Sequence, residues 1–165
     1  MDKYYYLVAQ LPMLWFDREA PLSTEVFLQE AEKWMSAADF EKLRRARFDA
    51  LEVTSNMPSL LRQYAEHEAA FRRDLAQWRK AQKEGFDYKP EIFPVALVKE
   101  GNPLEVEKNL LHYRWNLIEE LETLHHFDLE FLIFYYFKLQ ILEKMAEFNK
   151  EKGRQVFQSL TKVDI

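Results

Sequence analysis

Between Pro58 and Gly85 the chain runs for over twenty residues without a proline or a glycine. Proline at a first helical turn and glycine just past the last one is the asymmetry that marks a helix start and stop. The same punctuation recurs along the sequence. Asn102, Pro103 and Glu105 supply the N-cap, N1 and N3 positions of a helix that should reach His125 or His126. Asp128 caps the next helix, with Phe127 and Leu132 placed as a hydrophobic staple, and Gly153 closes it ahead of a short helix over residues 155–160. Upstream, Thr24 caps a helix to about Met35, and Ser36 with Asp39 opens another through Phe48. The three long helices would each measure roughly 30–40 Å at the α-helical rise.

Elements of that length in 165 residues predict an all-α protein built as an elongated helical bundle of long antiparallel helices. Residues 1–165 read as a single helical domain, within which 1–55 could stand as a smaller N-terminal lobe. One short strand is compatible with the pattern, formed by Ile92-Phe93 and residues 95–98 of the 86–101 loop and paired with residues 4–8. Periodicity then orients the helices. Met57, Leu61, Tyr64, Glu68, Phe71, Leu75 and Trp78 alternate steps of four and three, a seam with Glu68 as its polar member. Leu104, Leu111, Ile118, Leu121 and His125 trace a second stripe, widened by Leu110, Leu117 and Leu124. The run from Phe131 to Phe137 is apolar on every side, so its helix is either central to the bundle or presents an aromatic face to a partner.

Composition removes several function classes. With no cysteine there is no disulfide framework, thiolate zinc site or cysteine nucleophile. Three glycines cannot build a phosphate-binding loop, and no serine lies in a Gly-x-Ser-x-Gly elbow. A net charge of −5 disfavours nucleic acid or an anionic membrane as partner. The N-terminus has no signal-peptide pattern, and the longest apolar run is far short of the ~20 residues that span a bilayer. A soluble, cytoplasmic protein is expected, peripheral to a membrane only through a larger complex.

What remains is a small set of candidates. Glu122 and His125 form a Glu-x-x-His pair on one helical face, with Glu119 and His126 nearby, and a metal-binding helical-bundle enzyme would use them. The competing explanation places the two histidines in a last helical turn, where imidazolium favours the negative dipole end. A basic cluster is the better lead. Arg44, Arg45 and Arg47 crowd one turn, and Arg72 and Arg73 follow on the next helix. Residues 36–83 carry ten Lys and Arg against seven Asp and Glu, whereas residues 100–152 carry six against eleven. Opposed segments of that kind suit docking to an acidic protein surface, or pairing within the molecule. Aromatic residues at 4–6, 15–16 and 131–137 add the side chains that dominate protein interfaces. No cofactor or metal is expected on balance, and a generic helical interaction scaffold is the remaining alternative.

Three stretches also carry a resemblance. Tyr4-Tyr-Tyr-Leu-Val-Ala-Gln-Leu-Pro-Met13, Ser36-Ala-Ala-Asp-Phe-Glu-Lys-Leu43, and Phe127-Asp-Leu-Glu-Phe-Leu-Ile-Phe-Tyr135 through Leu142 resemble a little-characterised family encoded beside bacterial V-type ATPase subunits. The last stretch is similar to the helical repeats of the d-type subunit of V-type ATPases, in which a Tyr precedes a Lys-rich helix ending at a Gly; Tyr136, Lys138 and Gly153 would hold those places. The resemblance implies a non-catalytic adaptor on the cytoplasmic face of the membrane rotor ring that receives the central stalk, in a complex moving protons or sodium ions. Its partners would be the stalk and rotor-ring subunits, with Arg44, Arg45, Arg47, Arg72 and Arg73 as the docking residues.

Overall fold

A computed structural model describes residues 4–54, 56–99, 101–124 and 128–163. Among them the chain is all-α, with seven helices and no strand: α1 (Tyr5–Gln10), α2 (Thr24–Trp34), α3 (Ala37–Arg45), α4 (Ser59–Glu84), α5 (Ala96–Lys99), α6 (Pro103–Glu122) and α7 (Leu129–Val163). Their contacts gather into two compact units. The first takes the described residues within 1–48 and 125–165, the second those within 49–124.

In the first unit, α7 is the central element. Every residue from Leu132 to Leu142 is buried, as an all-round apolar helix requires. Helices α2 and α3 both pack on it, and α1 packs on α2. Phe27 of α2 sits against Tyr135 and Tyr136, with ring centroids 5.3 and 5.8 Å apart. Polar groups in this core are paired. The Gln140 side chain donates to the Ala46 carbonyl at 2.9 Å and accepts from the Phe48 amide at 3.1 Å. It thereby satisfies backbone left over where α3 ends at Arg45, three residues before the expected Phe48.

Capping follows the sequence closely, with one exchange. Ser23, not Thr24, is the N-cap of α2 and accepts from the Val26 amide at 3.1 Å. Thr24 is drawn to α7 instead, its amide and hydroxyl both donating to Glu143 at 3.1 and 2.8 Å. Ser36, Asn102 and Asp128 cap as expected, each accepting from the amide three residues on. Phe127, the other half of the proposed staple, lies outside the described residues, as do His125 and His126. Gly153 does not end α7. The helix runs on through it to Val163, absorbing residues 155–160, with Glu151 accepting from Arg154 at 2.7 Å and from Gln155 at 3.4 Å across the glycine. A mid-helix glycine costs only about 1 kcal/mol relative to alanine, which good flanking helix formers can offset.

In the second unit, α4 and α5 each pack on α6. The seam of α4 is buried at Leu61, Tyr64, Glu68, Phe71, Leu75 and Trp78, as the spacing required. On α6 the buried face is Leu110, Leu111, Trp115, Ile118 and Leu121. That helix stops at Glu122, short of the expected His125, so Leu124 falls past its end and is 67% exposed. Among the described residues the 86–101 loop holds no strand, and residues 5–10 are helix α1 rather than its partner strand. Backbone groups that a ladder would have used are taken by side chains. Buried Asp74 accepts from the amides of Glu91 and Ile92, both at 2.9 Å, and from the Tyr88 hydroxyl. Tyr113 donates to the Ile92 carbonyl at 3.0 Å. Phe93 is thus drawn into a core with Phe71, Leu75, Trp78 and Leu110. No helix among the described residues is long and apolar enough to cross a membrane.

Candidate docking surface

Three of the five expected docking arginines belong to the first unit. Arg44 and Arg45 fall in the last turn of α3, where cations complement the helix dipole. Both converge on Glu41. Arg44 donates through Nε and Nη2 at 3.1 and 2.6 Å, and Arg45 Nε lies 2.7 Å from the same carboxylate. The hydrogen bond from Arg44 is the main reason the Glu41 carboxyl sits below its ordinary pKa, and the same bond raises the Arg44 guanidinium. Arg47, beyond the end of α3, is exposed.

Of these groups, Glu41 and Arg44 edge an open groove of about 700 Å³ between α2 and α3. Leu28, Met35, Ala37 and Phe40 contribute its apolar lining, while Glu25, Glu32 and Glu41 stand with Arg44 around it. The face is therefore mixed in charge rather than purely basic. An aromatic patch adjoins it in sequence through Trp34, which precedes Met35. The Tyr6 ring stacks on Trp34 at 6.4 Å, and Tyr5 meets Tyr6 edge-on at 5.6 Å. All three are about half exposed or more, whereas Tyr4 is buried and donates to Asp39. Apolar floor, arginine edge and exposed aromatic rings are ingredients of protein recognition.

The other two arginines belong to the second unit, so the structure does not bring the five into one unit. Arg73 is exposed. Arg72 is tied to the core, donating at 3.0 Å to Glu68, a carboxylate only 2% exposed. Glu68 is shared with Arg114, whose guanidinium also covers the Phe71 ring at 5.1 Å. Arg114 is not among the sequence candidates, yet a carboxylate inside an apolar seam calls for a cation on the facing helix, and that is the signal the sequence offers for it. Asp74, three residues on from Phe71 on the buried face, is satisfied differently, by the amides of Glu91 and Ile92 and the Tyr88 hydroxyl.

The metal candidates are placed only in part. His125 lies outside the described residues. Glu119 is exposed and accepts from the Trp115 indole at 2.8 Å. Among the described residues no three His, Cys, Asp or Glu side chains come together as a metal site.

No curated protein matches the chain, and no solved structure does. Residues 81–163, half of the sequence, match the family described as "Protein of unknown function (DUF2764)", and the chain belongs to that family.

Proposed function

We propose that this protein is a non-catalytic component or assembly partner of a bacterial V-type ATPase, coupling the central stalk to the membrane rotor as an adaptor of the d-type kind. One observation carries the reading. The three stretches that bear the resemblance are far apart in sequence, yet their described residues belong to one compact unit and bond to each other. Tyr4 of the first donates to Asp39 of the second, and Tyr135 of the third donates to the Pro12 carbonyl of the first at 2.6 Å. Shared residues that assemble one structural module are what common architecture produces. Lys138 and Tyr136 are buried within it, so they act by packing. Gly153 departs from the d-type pattern, because α7 continues past it.

An adaptor of this kind works by shape and contact: the α2–α3 groove and its arginine edge would take the partner, with coupling ion and turnover left to the rest of the complex. Co-expression with stalk, catalytic-head and stator subunits from the same source, followed by size-exclusion chromatography, tests it. Co-elution with stalk subunits is the expected result. Elution alone under every combination would overturn the proposal.

A further inference from the structure

From Leu142 onward α7 carries a second heptad seam that the fold itself does not cover. Leu142, Ala146, Asn149, Gly153, Val156 and Leu160 follow steps of four and three, the spacing of a coiled-coil stripe. Leu142 is buried, but every described side chain from Lys152 to Thr161 is exposed. Val156, Phe157 and Leu160 are 53, 66 and 62% exposed. The stripe is thus continuous with a core face and then left bare. At Gly153 an added Cβ would meet nothing within 4 Å, so no contact among the described residues requires glycine there.

Charge says what should lie on it. Positions flanking the stripe over its exposed part are Lys150 and Phe157 on one side and Lys152 and Ser159 on the other, so the charges beside it are basic, and the acidic flank nearer the core, Glu143, already accepts from Thr24. The Glu151–Arg154 pair is off the stripe. A second copy of this chain packed in parallel register would bring its own Lys150 and Lys152 into the same turns, like charge on like. A lipid surface wants an apolar face sustained along the helix, whereas Val156, Phe157 and Leu160 fill little more than one turn and Asn149 and Gly153 interrupt the stripe below them. Asparagine at a seam position instead fixes the register of a helical partner.

We propose that the exposed half of α7 docks an amphipathic α-helix from another protein, apolar on the facing side and acidic along both flanks, as a two-stranded coiled coil. The stretch from Ala146 to Leu160 offers about 22 Å of seam at the helical rise, two heptads. The proposal does not depend on the ATPase reading, since it uses a different face and names no complex.

Fluorescence anisotropy with the full chain tests it, using two labelled synthetic helical peptides with leucine at seam positions and either glutamate or lysine at the flanks. The glutamate peptide should bind roughly tenfold or more tightly than the lysine peptide. Lys150→Glu with Lys152→Glu should reverse that order. Val156→Asp with Leu160→Asp should abolish binding while thermal unfolding is unchanged, because both side chains are already in water. Equal binding of the two peptides, or none of either, would overturn the proposal. So would a seam-dependent homodimer in sedimentation, or seam-dependent adsorption to phosphatidylserine vesicles in place of peptide binding.

Discussion

Arg114 of α6 reaches Glu68 of α4 with Nε at 3.1 and 3.0 Å from the two carboxylate oxygens and Nη2 at 2.8 Å, and so joins two helices through a buried charge. The guanidinium side chain is itself only 13% exposed, which makes the pair a core element rather than a surface decoration. A paired buried charge adds little by itself, but leaving one partner alone in the core is costly.

Arg114→Ala should therefore destabilise the protein by about 3 kcal/mol, at the lower end for a broken buried pair because Arg72 stays on Glu68. Arg72→Ala removes a half-exposed partner and should cost less than about 1 kcal/mol. Urea unfolding of the two variants measures the difference. Replacing both members, Glu68→Leu with Arg114→Met, should recover most of the loss, and failure to recover would mean that the pair contributes more than relief from desolvation.

The Tyr88–Asp74 bond gives a pH dependence with a definite sign. Hydrogen bonding to Asp74, then burial, then the charge of that carboxylate push the Tyr88 phenol up to about 12. An unfolded tyrosine ionises near its ordinary value of 10. The folded-state pKa is the higher one, so this group's stabilisation is complete below pH 10 and is lost as pH rises from there through about 12. Burial raises Tyr64 and Tyr113 as well, so the wild type should lose stability steeply in strong alkali. Tyr88→Phe should flatten part of that fall, read from unfolding midpoints across the alkaline range. An unchanged slope would remove Tyr88 from the account.

Two glycines should respond to alanine with opposite signs. Gly85 caps α4 in the left-handed region at φ 79°, where a Cβ is strained although nothing crowds it. Gly85→Ala should cost about 1–2 kcal/mol. Gly153 lies inside α7 with open space around its Cα, so Gly153→Ala should add roughly 0.5–1 kcal/mol of helix stability. Thermal unfolding followed by circular dichroism distinguishes the two.

That contrast also shows how far the sequence can be read. A glycine after a long apolar-periodic segment signals a stop, and Gly85 obeys because the chain must turn there to bring Phe93 beneath Asp74. Gly153 gives the same signal, yet α7 continues, since local pattern does not reveal whether flanking residues have reason to leave the helix. Caps and buried stripes depend on neighbours three or four residues away, so Ser36, Asn102, Asp128 and the α4 seam were legible. The strand expected over 92–93 and 95–98 fails for two reasons: Asp74 and Tyr113 claim the Ile92 backbone from other helices, and the chain from Pro94 to Lys99 closes local turns as α5. At the candidate surface the Arg44–Arg45 cluster and its pairing to Glu41, three and four residues back, follow from helical spacing, whereas the Trp34–Tyr6 stack depends on tertiary geometry. Arg114 was foreshadowed only by the partner that Glu68 needed.

The arginine edge of the α2–α3 groove yields the last prediction. Arg44 and Arg45 are paired on the surface, with side chains 52 and 74% exposed, so those pairs contribute little to folding. Reversing Arg44, Arg45 and Arg47 to glutamate puts acid at the C-terminal end of α3 beside Glu41, so stability should fall by only about 1–2 kcal/mol with the protein still folded. The same change removes both cations from Glu41 and turns the Arg44 end of the groove acidic. A partner whose surface is acidic would then meet like charge, losing affinity by roughly tenfold or more, along with most of its salt sensitivity. Titration of the stalk subunits against wild type and variant at two salt concentrations reads both effects together. If affinity fell without any loss of salt dependence, the arginines would be acting through the shape of the groove and not through charge. Unchanged affinity would move the docking face away from α3, leaving the exposed rings of Tyr6 and Trp34 as the next surface to vary.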